Sequence, residues 1–264
     1  MCIRDSNSFD KLSNWLSQHQ PLLASEVMDA RDTLMDFKFR KNLSQDSERV
    51  WSTDRWALTG ESGLFTDPFY SPGSDLIAIS NTFVCDLIKR ERDDSRFALH
   101  AAVYEQMYQS FYAIIMTLYE QQYSGFGDTR LMVVKTTWDY AYYWSVLTWL
   151  FFRELMTDIG FLKSIQAKML ELRALNEKMQ AQFRSRASGR HEDEGRGRFF
   201  DQTAIPVLYE LNAALLQPAS NPEQEFRENA ERLERLAPEL TALLEETSTV
   251  ESCSLLGDLR QRFH

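Results

Sequence analysis

Cysteine and histidine are scarce in this chain of 264 residues, which contains three cysteines and four histidines. Cys2, Cys85 and Cys253 lie far apart and form no C-x-x-C pair, which argues against a disulfide framework and against a zinc site. The histidines show no metal-ligand spacing either. The sequence therefore predicts no metal centre.

Positive charge is also in short supply, because 29 Lys and Arg residues face 39 Asp and Glu residues and leave a net charge of −10. An acidic chain without a basic stripe binds nucleic acid poorly. We therefore expect a cytoplasmic protein whose partners do not include nucleic acid.

Long apolar runs are missing. The most apolar stretch, residues 138–152, contains Asp139 and three tyrosines, and it is shorter than the ~20 apolar residues of a membrane-spanning helix. We predict a buried helix and no transmembrane segment; the alternative is a surface that meets a substrate dissolved in a membrane. No signal peptide opens the chain.

What the chain does have is apolar content: 44% of its residues are hydrophobic, including 17 Phe, 10 Tyr and 6 Trp. This content suits a packed core in one large or two small domains. The aromatic residues fit either an apolar ligand pocket or an ordinary thick core.

Hydrophobic spacing predicts a mostly α fold with a small β portion near the N-terminus. Residues 8–19 form an amphipathic helix pattern that Ser8 can cap and that Pro21 ends. Residues 34–39 partly alternate, as a half-buried strand does, and residues 55–60 are a short apolar run that stops at a glycine, which suits a buried strand. We therefore expect two or more strands, all before Gly60, followed by helices alone.

The helices after Gly60 carry several boundary signals. The first should begin at Ser74 or Asp75 and run to about Arg90. Residues 131–156 are apolar almost all round and predict a buried helix. Asp158 should cap the helix after it.

The last third of the chain predicts a mobile loop and short helices. Residues 184–198 are polar and charged and contain three glycines, which favours the loop. Asn221 followed by proline should start a helix, and Pro238 a further one. A last helix is expected over residues 255–263.

Residues 54–75, DRWALTGESGLFTDPFYSPGSD, combine features of a ligand-binding loop. A strand that ends in Gly60 places the carboxylate of Glu61 at its C-terminal edge, where α/β sheets bind ligands. Glycines allow close backbone approach, and the N-terminus of the following helix favours negative charge. The alternative is a surface loop in which prolines and glycines only shape turns, and the spacing alone leaves both open.

The same segment resembles the second FAD-binding motif of flavin-dependent (tryptophan) halogenases and related single-component monooxygenases. In that motif a strand ends in Gly-Asp, and a proline and a Ser/Thr-Gly pair precede a helix. Gly60, Pro68 and Gly73 match it, and residues 65–68 resemble the family's apolar-x-acid-Pro run. The resemblance covers about residues 49–88.

The resemblance implies the C-terminal part of an FAD/NAD(P)-binding, Rossmann-like α+β flavoprotein. Residues 7–94 would end the FAD- and substrate-binding domain, and residues 95–264 would be a helical C-terminal region. It further implies a small organic substrate, with an aromatic one as the main candidate, and a flavin reductase as a candidate partner. FAD of the full-length parent would be held by Gly60, Glu61, Ser62, Gly63, Asp67, Pro68, Ser71, Pro72, Gly73 and Ser74.

The sequence departs from the family in three ways. Glu61 stands where the family has Asp, and Pro72 has no N–H where the family's amides hold chloride, so halide binding is not implied. The family's first motif, G-x-G-x-x-G after a strand, is absent. We therefore expect a truncated oxidoreductase, inactive alone, whose catalytic residues are unknown. Residues 1–6 resemble a translated sequencing-adapter remnant at the end of a metagenomic fragment.

Three residues of the buried aromatic stretch, Trp138, Asp139 and Tyr142, are candidates for the wall of a substrate cavity. Core packing and local pairing are the alternative uses of the same side chains. A second hypothesis for the whole chain is a non-catalytic helical module that binds other proteins. It requires the loop after Gly60 to be closed over by its own chain, whereas flavin binding requires the loop to face an open cleft.

Overall fold

The computed structural model describes residues 7–39, 43–93, 96–187, 201–218 and 221–245. The chain divides between Gln45 and Asp46 into two units. The predicted boundary between residues 94 and 95 does not coincide with this division and stays a prediction about the parent protein.

The N-terminal unit contains two short helices, α1 (Phe9–His19) and α2 (Pro21–Asp29). Ser8 caps α1 as predicted, because its hydroxyl accepts the Lys11 N–H at 3.3 Å. Pro21 does more than end α1, since it is also the first residue of α2, where a helix needs no N–H donor.

The strand predicted over residues 34–39 is wrong. These residues have no paired strand, and Leu34, Met35 and Phe39 are exposed. The alternating apolar side chains of this segment therefore do not lie on the buried face of a sheet. Phe37 instead packs its ring edge-on against Phe9 of α1, with the ring centroids 6.2 Å apart.

The second unit begins with a small hairpin of β1 (Trp51–Ser52) and β2 (Trp56–Ala57). The strands are antiparallel, with Trp51 opposite Ala57. Both lie before Gly60, as predicted, and the described residues after it contain no strand. The buried strand predicted over residues 55–60 is wrong, because β2 ends at Ala57, both of its residues are exposed, and a short 3-10 helix covers Gly60–Ser62. The hairpin is not a parallel sheet, so the structure does not confirm the Rossmann-like part of the predicted fold class.

After the hairpin, helices are the main elements of the described residues of the second unit, and the prediction of a mostly helical chain is confirmed. At its centre α5 packs against the helices that follow it and is buried on most sides. The helices are α3 (Gly73–Asp93), α4 (Phe97–Met116), α5 (Thr129–Ser145), α6 (Leu147–Phe152), α7 (Ile159–Ala187), α8 (Pro206–Leu215) and α9 (Pro222–Glu245).

Two predicted caps are confirmed and one predicted helix is divided. Asp158 accepts the Phe161 N–H at 3.0 Å at the start of α7, and Asn221 accepts the Gln224 N–H at 3.1 Å at the start of α9. The helix predicted over residues 131–156 is instead α5 and α6, because the backbone at Val146 leaves the helical range with φ −120° and ψ −76°.

The first four residues of the loop predicted over residues 184–198 are helical instead. Helix α7 continues to Ala187 because Phe183 is buried and Arg186 is anchored. The Arg186 guanidinium donates to Asp128 at 2.8 Å and to the Leu244 carbonyl at 2.8 Å. The remainder of that loop, and the helix predicted over residues 255–263, lie outside the described residues.

Pro238 does not begin a helix, contrary to the prediction, but lies inside α9. The buried face of α9 continues past it through Leu236, Leu240 and Leu243. Burial of these side chains offsets the backbone hydrogen bond that proline cannot donate. In the described ranges, no helix is long and apolar enough to cross a membrane.

We expect Pro238→Ala to raise the free energy of unfolding by about 2 kcal/mol, because alanine restores an N–H donor to the interior of α9. Urea unfolding measures the change. The control is Pro222→Ala at the first position of α9, which should be neutral or lose up to about 1 kcal/mol. An unchanged or lower stability of Pro238→Ala would contradict a continuous α9.

Candidate functional site

The loop between β2 and α3 begins at Gly60, whose conformation only glycine adopts easily. Gly60 has φ +56° and is buried, and its N–H donates to the Ser80 hydroxyl at 2.8 Å. A Cβ at this position would lie 2.3 Å from Cγ1 of Ile77. The close approach expected of this glycine is therefore to helix α3, not to a ligand.

Glu61 lies at the N-terminus of α3. A Cβ on Gly73, the first residue of that helix, would lie only 2.0 Å from Oε1 of Glu61. The Glu61 carboxylate thus sits against the backbone of the first turn, where the helix dipole favours negative charge. The sequence predicted a carboxylate and a helix N-terminus in this loop, and the structure brings the two together.

The middle of the loop is built from two turns. Asp67 accepts the Phe69 N–H at 2.8 Å, and the Pro68 carbonyl accepts the Ser71 N–H at 3.0 Å. Pro72 then supplies the carbonyl that receives the Leu76 N–H at 2.9 Å. Helix α3 consequently begins at Gly73, one residue before the predicted start.

Backbone strain marks the end of the loop. Tyr70 has φ +64° and Ser71 has φ +55°, which places two consecutive non-glycine residues in the left-handed region. Such residues cost about 1–3 kcal/mol each and persist where the surrounding structure holds them. The contacts of this pair are therefore the ones to examine.

Tyr70 is held by Asp139 of α5. Its hydroxyl donates to Oδ2 of Asp139 at 3.0 Å. Burial, followed by the negative charge of Asp139, raises the pKa of Tyr70 far above its usual value. The phenol therefore stays protonated and remains a hydrogen-bond donor.

Asp139 is itself the centre of a buried polar network. Lys135 donates to its Oδ2 at 2.8 Å, and the Gln180 amide donates to its Oδ1 at 2.7 Å. Lys135 is 1% exposed and Asp139 5%. Gln122 donates to Oε1 of Gln180 at 2.8 Å. A buried charge of this kind needs such partners to offset its lost hydration.

Three tyrosines on α4 and the turn after it donate to backbone carbonyl groups of the loop and of the first turn of α3. Tyr119 donates to the Phe69 carbonyl at 2.5 Å, Tyr108 to Leu76 at 3.1 Å and Tyr112 to Phe65 at 3.4 Å. Sequence reasoning missed these contacts because it treated this part of the chain as core packing. The signal was present, since a buried tyrosine requires a partner for its hydroxyl.

A fourth tyrosine reaches the first turn of α3. Tyr143 of α5 lies near the carboxyl group of Asp75. Burial raises the pKa of Asp75, and the Tyr143 hydroxyl offsets part of the rise. A buried carboxyl group and a tyrosine of α5 are thus close together at the start of α3.

The loop is closed on its inner side and open on its outer side. Phe69 packs against Tyr119 and Phe126, with the Phe69 and Phe126 ring centroids 4.7 Å apart. On the outer side, solvent reaches five of the predicted FAD-binding residues. The exposed residues are Glu61, Ser62, Pro68, Ser71 and Ser74; Asp67 and Gly73 are half-buried, and Gly60, Gly63 and Pro72 are buried.

The three residues predicted to line a substrate cavity are all buried. The Trp138 and Tyr142 ring centroids are 6.1 Å apart, and the Trp138 indole donates to Asn176 of α7 at 2.9 Å. Tyr142 also lines a groove between α4 and α7. For Asp139, local pairing is what the structure shows.

The described residues contain no group of three His, Cys, Asp or Glu side chains that could hold a metal ion. The loop itself offers hydroxyl groups, the carboxylates of Glu61 and Asp67, and the backbone at the N-terminus of α3.

Comparison with known proteins gives one distant similarity. The chain is 23% identical over 143 residues to the flavin-dependent halogenase chlA of Dictyostelium discoideum. The aligned part is 53% of this chain but only 23% of the halogenase. No family model matches the chain, and no solved structure resembles it.

Loss of the Asp139 charge should destabilise the chain, because it leaves the ammonium group of Lys135 buried without a counter-charge. We expect Asp139→Asn to lower the free energy of unfolding by about 3–5 kcal/mol. The double variant Lys135→Met/Asp139→Leu should lose less than the single one, because it leaves no buried charge unpaired.

The matched control is Glu171→Gln, which removes the charge from an exposed pair with Lys168 on α7. It should cost less than about 1 kcal/mol. Urea unfolding of the three variants compares these values. A loss for Asp139→Asn as small as that for Glu171→Gln would show that the buried pair is not formed.

Proposed function

We propose that this chain is part of an FAD-dependent oxidoreductase of the halogenase-like or monooxygenase-like type, in which the exposed residues of the loop over residues 60–74 contact the flavin cofactor. The main observation in support is the geometry of the loop. Its inner side is held by α4 and α5, and its outer side presents polar groups at the N-terminus of α3. The distant similarity to a flavin-dependent halogenase supports the same reading.

Exposed groups on the outer side fit the ribityl chain of FAD. Ser62, Ser71 and Ser74 carry hydroxyl groups that donate and accept hydrogen bonds, and the Glu61 carboxylate accepts them from ribityl hydroxyls. The position of Glu61 against Gly73 accommodates the extra methylene relative to the family's Asp. When bound, the flavin would supply the redox chemistry, while these residues bind and orient it.

The same geometry favours oxygenation or another redox reaction over halogenation. Pro72 is buried and has no N–H to offer an anion. The Glu61 carboxylate already places a negative charge at the first turn of α3. A halide at this position would be repelled by that carboxylate.

The chain spans 23% of the length of its halogenase relative. In this proposal the FAD pyrophosphate is bound by parts of a longer protein, because phosphate groups require the glycine-rich turn and helix N-terminus of a βαβ unit. We propose that this longer protein acts on a small organic molecule, with an aromatic one as the main candidate. A flavin reductase is its proposed partner.

The test is a titration of the isotope-labelled chain with FAD, followed by amide NMR. We expect weak binding whose shift changes concentrate in residues 60–75. Gly73→Ala should abolish these changes, because its Cβ displaces the Glu61 carboxylate, a flexible group whose movement leaves the fold intact. Gly127→Ala is the control, since a Cβ there meets no atom within 4 Å.

Two results would contradict the proposal. Shift changes that lie elsewhere, or that survive in Gly73→Ala, would show that this loop does not contact the flavin. Sub-micromolar binding of FAD by this chain alone would show that the chain itself supplies the contacts to the FAD pyrophosphate.

A further inference from the structure

An elongated groove runs between α4 and α7, on the side of α5 that carries Tyr142. Its volume is about 470 Å³, a size typical of small-molecule sites. Along α4 it extends from Val103 to Ile114, which is roughly 16 Å at the helical rise of about 1.5 Å per residue. The groove is therefore long enough for an extended chain.

The walls of the groove are aliphatic rather than aromatic. Phe111 and Tyr142 are the two aromatic side chains that line it. Leucine, isoleucine, valine and methionine supply most of the remaining apolar surface, and methionine adapts its shape to a flexible ligand. The apolar lining residues are Val103, Met107, Phe111, Ile114, Tyr142, Leu150, Ile159, Leu162, Met169 and Leu170.

The charged residues that line the groove are both positive, and the nearby Glu177 is paired with one of them, Arg173. Although the chain carries 39 acidic residues and a net charge of −10, none of the residues that line the groove is Asp or Glu. The two charged lining residues are Lys163 and Arg173. This local reversal of charge is what an anionic ligand requires.

Lys163 is the better candidate for an anion contact. Arg173 already donates to Glu177 at 2.9 Å. Lys163 is exposed and makes no ion pair or hydrogen bond within the described part of the chain. It lies one turn from Ile159, the first residue of α7, at one end of the groove.

We propose that this groove binds a linear aliphatic carboxylate, such as a free medium-chain fatty acid, with its chain between α4 and α7 and its carboxylate on Lys163. The aliphatic walls and the length of the groove favour a linear aliphatic ligand, and the ammonium group of Lys163 favours a ligand that carries a carboxylate. The site is independent of the flavin loop, which lies against other residues of α5.

The test measures binding of decanoate, below its micelle concentration, to the whole chain by calorimetry. Decanol is the matched neutral probe, because it has the same chain length without the charge. We expect saturable binding of one decanoate, and roughly tenfold weaker binding of decanol, as for the loss of one charge-assisted hydrogen bond.

Two charge reversals on the same helix locate the anion. Lys163→Glu should weaken decanoate binding at least as much as the change to decanol does. Lys178→Glu, an exposed position outside the groove, makes the same change in net charge and should have little effect.

Several results would overturn the proposal. Equal binding of decanol would show an apolar cavity without anion selectivity, and equal effects of the two reversals would show a non-local charge effect. Binding of neither probe, or binding of anionic phospholipid vesicles without binding of free decanoate, would show that the groove is not a fatty-acid site.

Discussion

The hydrogen bond between the Tyr70 hydroxyl and the Asp139 carboxylate is the contact on which the shape of the loop depends. It crosses from the strained end of the loop to the most buried helix of the chain. Without an anchor, Tyr70 and Ser71 would relax from the left-handed region, since nothing in their own sequence favours it. The position of Gly73, and with it the first turn of α3, follows from this anchor.

Asp139 can serve as an anchor because two other side chains hold its carboxylate in place. Lys135 lies one turn earlier on the same helix, and Gln180 reaches it from α7. Burial of the charged pair is costly, and the surrounding hydrogen bonds offset that cost only when α5 and α7 are in register. The network therefore links the packing of the helices to the conformation of a surface loop.

The sequence predicted the elements that depend on local signals. Asp158 and Asn221 act over one helical turn, and both were found as caps. Residues 34–39 and Pro238 were misread because the absence of a partner strand and the burial of the α9 face are decided by distant parts of the chain.

The site shows the same division between local and long-range information. The loop residues were identified from a contiguous motif, whereas their supports on α4, α5 and α7 are up to about a hundred residues away. One signal was available: Lys135 and Asp139 are an i, i+4 pair of opposite charge in an otherwise apolar helix. The functions proposed for the loop residues remain predictions.

The most direct test of the anchor is amide hydrogen exchange in Tyr70→Phe, which removes only the hydroxyl. The account predicts that exchange of the Ser71 and Leu76 amides speeds up by about tenfold or more, as expected for losing a hydrogen bond to a charged group, while the amides of α9 are unchanged. Tyr209→Phe, at an exposed position of α8, should leave all of them unchanged. Unaltered exchange at Ser71 and Leu76 in Tyr70→Phe would contradict the claim that Asp139 holds the loop.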